Sequence, residues 1–275
     1  MANARHFVRS SGAVRSSVIL ASLGPRQPGP RRLDGHGSAV LCSIFTLRTG
    51  SDDDGAAVTG YARKMHMDAP RGLQDPDELA ERHRMLAESP ALAPLRDWSD
   101  AMMTRRGRRQ ADLVLPLVDP ADAAVNAKTL ILLDAPGTLA PDSLDAPGSG
   151  FASVDNDDPI AESLWNLRND IGFDDVMVWN IVPWYLSAGR KKPNAPEVAQ
   201  GAMELRALLP LLKNLRVVVL CGPHAQDGWW KHVEPLLGNT YSAFNAPHPS
   251  PLSLKQPGRR EEIEKVFARA KQVAG

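Results

Sequence analysis

The chain has 275 residues, enough for one large domain or two small ones, and 43% of them are hydrophobic, as in ordinary globular proteins. Its 32 basic and 32 acidic residues give a formal net charge of zero, so only a local basic patch could bind a polyanion. Two cysteines, Cys42 and Cys221, are too few for a disulfide framework or a four-cysteine iron–sulfur cluster. No apolar run approaches the roughly 20 residues that span a bilayer, so we expect a cytoplasmic protein without membrane contact.

Residues 1–60 differ in composition from the rest of the chain. Seven arginines face a single acidic residue, Asp34, over the first fifty positions, and Ser, Gly and Pro are frequent. Such a segment cannot bury enough apolar surface to offset its ordering entropy, so we predict a disordered basic N-terminal segment. An organelle-type targeting leader and a basic arm on DNA are the alternatives.

Residues 61–275 are predicted to form one domain in which helices and strands alternate. Asp75 followed by Pro76 favours the start of a first helix, and a second is predicted over Leu92–Met103. Short apolar runs bounded by turn residues predict four strands: Thr129–Leu133, Asp175–Val182, Leu215–Leu220 and Tyr241–Phe244. Helices are predicted between and after them: Pro159–Ile171, Glu197–Leu212, His224–Leu237 and Arg259–Val273. This alternation predicts an α/β fold, a three-layer α/β/α sandwich around a central, mainly parallel four-stranded sheet.

Ligand sites in open α/β sheets lie at the carboxyl ends of the strands, so we expect site residues in the segments that follow the strands. Asp134 comes directly after the first strand, and a glycine-rich loop ending at Phe151 follows it. Asn180 lies within the second strand, where Asn is disfavoured. The loop after that strand is basic, with Arg190, Lys191 and Lys192 in a row.

The segment Asn245–Ser253 follows the last strand and contains three prolines. Proline fixes φ and removes a backbone donor, so we predict a rigid loop that is neither helix nor central strand. It presents His248, two serines and Leu252. A stiff loop of this composition is suited to positioning side chains for binding or chemistry.

Three stretches resemble the uracil-DNA glycosylase superfamily, in the chain order of that family. His248-Pro-Ser-Pro-Leu-Ser253 resembles its C-terminal active-site motif, and Ile131-Leu-Leu-Asp-Ala-Pro-Gly137 resembles its first motif. Val178-Trp-Asn-Ile-Val-Pro-Trp184 resembles the middle strand, whose Asn recognises the base. The resemblance runs from about Asn126 to the C-terminus. It implies hydrolysis of the bond that joins uracil, or a related deaminated base, to deoxyribose in DNA.

The resemblance implies catalytic roles for His248 and Asp134 and base recognition by Asn180 and Phe151. His248 would donate a hydrogen bond to the base oxygen and stabilise the leaving anion. Asn180 would pair with the edge of the base, and Phe151 would stack on it. Asp134 would stabilise the sugar cation or activate water, although this acid is usually Glu in the motif, and Leu133 stands where a Gly is common.

The resemblance also implies further contacts around these four side chains. The base would touch Ala135, Pro136 and Gly137. Leu252 would fill the space that the flipped base leaves in the duplex. The DNA strand would contact the remaining residues of the loop and the helix start: Ser250, Pro251, Ser253, Lys255 and Arg259.

No His, Cys and Asp residues have metal-ligand spacing, so we predict no metal and no cofactor, and His224 is predicted to be structural. The expected partner is DNA that contains a deaminated base, and the chain is expected to be a monomer. Two alternatives stay open. A non-catalytic nucleic-acid or nucleobase-binding module on the same fold is favoured by Leu133 and Ala135, and a hydrolase of free nucleosides or nucleotides is favoured by the modest charge.

Overall fold

The computed structural model describes residues 67–107, 115–137, 148–186 and 190–275, without the side chains of residues 106 and 107. The segment predicted to be disordered, residues 1–60, lies outside the described residues, so its state and the domain boundary near residue 60 stay predictions. No helix in the described part is both long and apolar enough to cross a membrane.

A four-stranded parallel sheet forms the centre of the fold. The strands of the described chain are β1 (Leu117–Val118), β2 (Thr129–Leu133), β3 (Phe151–Ala152), β4 (Val176–Asn180), β5 (Val217–Cys221) and β6 (Ser242–Ala246). The central sheet has the order β4-β2-β5-β6, and each neighbouring pair is parallel. The predicted mainly parallel four-stranded sheet is therefore confirmed.

Helices cover both faces of this sheet. The helices of the described chain are α1 (Pro76–Glu88), α2 (Ala93–Gly107), α3 (Pro159–Ile171), α4 (Ala195–Leu208), α5 (Pro223–Gly228), α6 (Glu234–Leu237), α7 (Pro251–Leu254) and α8 (Arg259–Ala274). Because side chains alternate along a strand, Leu130 and Leu132 of β2 join the core under α2 and α4, whereas Ile131 joins the core under α3 and α8. The predicted three-layer α/β/α architecture is confirmed by these two cores.

Capping residues set the helix ends, and most predicted bounds hold to within a few residues. Asp158 accepts hydrogen bonds from the first amides of α3, and Gly172 ends that helix in the left-handed region at φ 64°. Helix α4 begins before the predicted Glu197, because Asn194 and Glu197 form a capping box. The predicted helix from His224 to Leu237 is interrupted by a π-helical turn, Trp229–Val233.

The prediction for Asn245–Ser253 is wrong in one respect, because this segment is not free of regular structure. Strand β6 continues to Ala246, and a short helix, α7, begins at Pro251. Pro251 occupies the first helical position, where its fixed φ favours a helix, and the Ser250 hydroxyl accepts a hydrogen bond from the Ser253 amide. His248 therefore lies on the short connection between a strand and a helix.

A second, two-stranded parallel sheet was not predicted from the sequence. Strand β1 pairs with β3, so that Leu117 is in register with Phe151 and Val118 with Ala152. Both strands have only two residues, which is too short for periodicity to reveal them. This sheet fixes the backbone of Phe151.

A buried arginine connects α1 to both strands of the small sheet. The Arg82 guanidinium lies 2.6 and 2.8 Å from the two carboxylate oxygens of Asp119, which follows β1. It also lies 2.7 Å from Asp155 Oδ2, just after β3. All three side chains are at most 5% exposed. Paired donors and acceptors in this fixed geometry hold β1 and β3 against α1.

Arg82→Met should be strongly destabilising, because it removes the cation that compensates two buried carboxylates. Loss of one partner from a buried ion pair typically costs about 3–5 kcal/mol. Urea unfolding followed by circular dichroism measures the change. Arg84→Met on the same helix is the matched control, because Arg84 pairs only with exposed carboxylates, and it should leave the midpoint nearly unchanged. Equal midpoints for the two variants would contradict this account.

Candidate functional site

His248 is fixed in one neutral tautomer by the loop that carries it. The backbone amide of Ser250 donates a hydrogen bond to His248 Nδ1 at 3.2 Å, so Nδ1 is the acceptor and the ring proton resides on Nε2. Burial of the ring lowers the pKa of His248 below its ordinary value, and the nearby Lys192 and His224 lower it further against the opposing effect of Asp134. The imidazole is therefore neutral near pH 7 and carries a donor on Nε2.

Asp134 lies between two histidines at the carboxyl end of β2. Its Oδ2 is 3.0 Å from Nδ1 of His224 and 4.0 Å from Nε2 of His248. Its Oδ1 is shielded from solvent and accepts no hydrogen bond from any described residue. The carboxylate thus does not bond the described amides of its own turn, and the oxygen nearest His248 is Oδ2, which His224 also contacts.

Gly222 allows the end of β5 to approach both of these side chains. Its φ is +92°, a backbone conformation that residues other than glycine rarely adopt. A Cβ at this position would lie 3.0 Å from His248 Cδ2 and 3.3 Å from Asp134 Oδ1. A larger residue here would push His248 away from Asp134.

A smaller cleft of about 470 Å³ opens on one side of His248. Asn180, Phe151 and Tyr185 line it together with His248. The Asn180 side chain is only 6% exposed, and its amide has no hydrogen-bond partner among the described residues. The amide lines the cleft and carries both a donor and an acceptor, so a ligand with the complementary pair of groups can bond it here.

Phe151 forms an ordered wall of the smaller cleft. Its ring packs on that of His83 from α1, with centroids 4.7 Å apart. Its backbone amide donates to the Ser149 hydroxyl, and its carbonyl accepts from the Asn156 side chain. The ring is therefore held in place before any ligand binds.

A larger cleft of about 780 Å³ opens on the other side of His248. Asp134, Gly222, Lys191 and Lys192 line this cleft and not the smaller one. The two clefts share a ridge of seven residues: Ala135, Pro136, Gly137, Ile160, His248, Ser250 and Leu252. Leu252 is 80% exposed, so an apolar side chain projects from this ridge into solvent.

The structure brings most of the residues predicted to contact DNA to these clefts. Pro251 lines the smaller cleft, whereas Ser253 and Arg259 line the larger one. Arg259 forms an ion pair with Glu262 at 2.9 Å, and both side chains are about half exposed. Lys255 lines neither cleft.

Two further residues belong to this site. His224 was predicted to be structural, yet it holds the Asp134 carboxylate, and its position just after β5 was the available signal. Tyr185 lines the smaller cleft, and burial raises the pKa of its phenol. The neighbouring Trp179 and Trp184 are buried core residues.

The described side chains contain no group of three or more His, Cys, Asp or Glu residues arranged to hold a metal ion.

No protein-family model and no curated protein matches the chain. Among solved structures, the chain is similar to a crystal structure of a mimivirus UNG variant in complex with UGI. That alignment has 13% identity and a TM-score of 0.32, and it covers 71% of this chain and 82% of the other. So distant a likeness identifies neither a family nor an activity.

The pKa of His248 should lie below the ordinary value of about 6.5. Lys192→Gln should raise it by removing a nearby positive charge, and Asp134→Asn should lower it further, because the Asp134 carboxylate favours the protonated ring. Titration by ¹H–¹⁵N NMR of the histidine side chains measures both shifts. Lys213→Gln, outside both clefts, is the control and should have no effect. An unchanged pKa in Asp134→Asn would contradict the contact between these two groups.

Proposed function

We propose that this chain hydrolyses the N-glycosidic bond of uracil, or of a related deaminated base, in DNA. The observation that carries the proposal is the position of neutral His248 at the junction of two clefts. The smaller cleft contains groups suited to a flat, hydrogen-bonding base, and the larger one contains a carboxylate and positive charge. A nucleotide that spans the junction would bring its glycosidic bond beside His248.

The target base would occupy the smaller cleft after it leaves the DNA stack. An enzyme that acts on the bond between base and sugar must extrude the base, because this bond is inaccessible within a duplex. Asn180 offers both a donor and an acceptor, which match the edge of uracil and mismatch that of cytosine. Phe151 would stack on the base, an interaction that contributes roughly 1–3 kcal/mol. Ala135, Pro136 and Gly137 would border the base along the shared ridge.

His248 would stabilise the base as it leaves with negative charge. A neutral imidazole with its proton on Nε2 can donate a hydrogen bond to the developing oxyanion of the base. Because the tautomer is set in advance by the Ser250 amide, little reorganisation is needed during the reaction. The pKa shift favours the neutral form, in which the ring does not form an ion pair with Asp134.

Asp134 would act on the sugar side of the bond. Departure of the base leaves a cation-like sugar, which a nearby carboxylate stabilises, and the attacking water needs an acceptor for its proton. Asp134 lines the larger cleft, and its Oδ2, 4.0 Å from His248 Nε2, would be the acceptor on that side. A carboxylate beside a neutral histidine at the edge of a cleft favours catalysis over a binding module without activity.

The ridge between the clefts would hold the DNA in the flipped state. Leu252 projects from it and is suited to replace the extruded base in the stack. Ser250 and Ser253 lie next to it and would contact phosphate oxygens.

Purified protein should release uracil from labelled oligonucleotides, detected as alkali-induced strand cleavage. Single-stranded and mismatched substrates that carry uracil, hypoxanthine or xanthine identify the preferred base. His248→Ala should lower the single-turnover rate about 10²–10³-fold, because it removes one donor to the developing anion. His232→Ala, outside both clefts, is the matched control. Absence of cleavage of all three bases by the wild type would overturn the proposal.

His224→Leu should slow base release by freeing the Asp134 carboxylate from its hydrogen bond. His224→Asn should retain more activity, since its amide nitrogen can donate from nearly the same place as Nδ1. In an Asp134→Ala background, His224→Leu should have no further effect, because residues that act through one contact are not additive. Single-turnover rates of the four variants measure this coupling. Equal losses in both backgrounds would show that His224 acts independently of Asp134.

A further inference from the structure

The cations available in the larger cleft differ from those that the sequence predicted to bind DNA. Lys191 and Lys192 line this cleft, and neither forms an ion pair within the described part of the chain. Arg259 lines the same cleft but is paired with Glu262, and Lys255 lies outside it. The unneutralised positive charge is therefore contributed by the segment before α4 and not by the start of α8.

The backbone beside these lysines is fixed to helix α4. Arg190 forms two hydrogen bonds with the carboxylate of Glu197, at 2.8 and 2.6 Å. Glu197 in turn belongs to the capping box of α4, and Arg190 also donates to the carbonyl of Lys192. Arg190 is thus occupied with local structure, whereas the two following lysines are left to face the cleft.

Lys191 and Lys192 line the same cleft as the residues of the proposed reaction. The charge of Lys192 contributes to the lowered pKa of His248, so the two groups are close enough to interact. Asp134 lines the same cleft. A nucleotide with its base in the smaller cleft and its glycosidic bond at His248 must direct its sugar and phosphates into the larger cleft.

We propose that Lys191 and Lys192 form a phosphate subsite that binds the backbone of a DNA strand whose flipped nucleotide enters the smaller cleft. The inference rests on the proposed function, because it assigns the larger cleft to the sugar-phosphate side of the same substrate. It identifies the source of electrostatic affinity in a chain with no net charge. Neutralisation of phosphates by lysines releases counterions, so this contact makes DNA binding depend on salt.

The ligand is a phosphodiester strand and not a free nucleotide. The larger cleft continues beyond His248 to Ser253, Gln256 and Arg259, and Leu252 projects into solvent at its edge. A single nucleotide would leave that part of the cleft and the exposed Leu252 without contacts.

The test measures the affinity of the full chain for a single-stranded oligonucleotide over a range of salt concentrations, by fluorescence anisotropy. The oligonucleotide contains no uracil, so binding is measured without turnover. The double variant Lys191→Gln/Lys192→Gln should reduce the slope of log K against log salt by about 1.4, since each lost phosphate contact on a single strand removes about 0.7. Lys255→Gln/Arg259→Gln should change the slope less. Lys213→Gln/Lys265→Gln, outside the cleft, is the matched control for net charge.

Three results would overturn the subsite: an unchanged slope in Lys191→Gln/Lys192→Gln, a larger reduction in Lys255→Gln/Arg259→Gln, or an equal reduction in the control. Competition by dUMP tests whether the phosphate belongs to a strand or to a free nucleotide. If dUMP displaces the oligonucleotide at a concentration similar to that at which the oligonucleotide itself binds, the assignment of the subsite to a DNA strand is overturned. The uracil-release assay is separate from these measurements. A reduced slope without any base release by the wild type would support the phosphate subsite while overturning the glycosylase activity.

Discussion

The candidate site depends on the close approach of three backbone segments around Gly222. The Gly222 amide donates to the carbonyl of Ala246 at 3.0 Å, so β5 and β6 stay in register beyond their last residues. Because Gly222 has no side chain and adopts positive φ, His248 and Asp134 can both lie against it. The carboxyl edge of the sheet thereby brings side chains from three different strand ends together, with His224 and His248 3.0 and 4.0 Å from the same oxygen of Asp134. The two clefts, and the ridge between them, follow from this contact.

Phe151, which forms a wall of the smaller cleft, is held in place by buried ion pairs as well as by strand pairing. Phe151 belongs to a sheet of two short strands, which would be marginal alone, and the buried Arg82 pairs anchor that sheet to α1. Asn180, which also lines this cleft, lies at the end of β4, an edge strand of the four-stranded sheet. There, Gly201 of α4 lies so near the strand that a Cβ would be 1.9 Å from the carbonyl oxygen of Ile181. Phe151 and Asn180 are thus both held in place by contacts that lie away from the cleft. Such supporting contacts are what a preorganised binding site requires.

The parts of the fold that could be predicted are those with local causes. Buried strands such as β2 and β5 are continuous apolar runs, and caps such as Asp158 and Gly172 act within one helical turn. The carboxyl-edge rule directed the prediction to Asp134, because it follows from strand direction alone, and Asp134 does line a cleft at that edge together with His248. Pairing of β1 with β3 and the bond between His224 and Asp134 could not be predicted in the same way. Each joins residues far apart in sequence, and neither leaves a periodic pattern.

The electrostatics of the site follow from keeping His248 neutral beside a carboxylate. A protonated imidazole 4.0 Å from Asp134 would form an ion pair, and each group would then neutralise the other. Burial prevents this by lowering the pKa of His248, so the ring keeps a donor on Nε2 and the carboxylate keeps its negative charge. His224 contacts one oxygen of Asp134, and the positive charge of Lys192 lines the same cleft as the carboxylate. Positive, neutral and negative groups thus line one cleft together, because the neutral state of His248 prevents an ion pair from forming between the imidazole and the carboxylate.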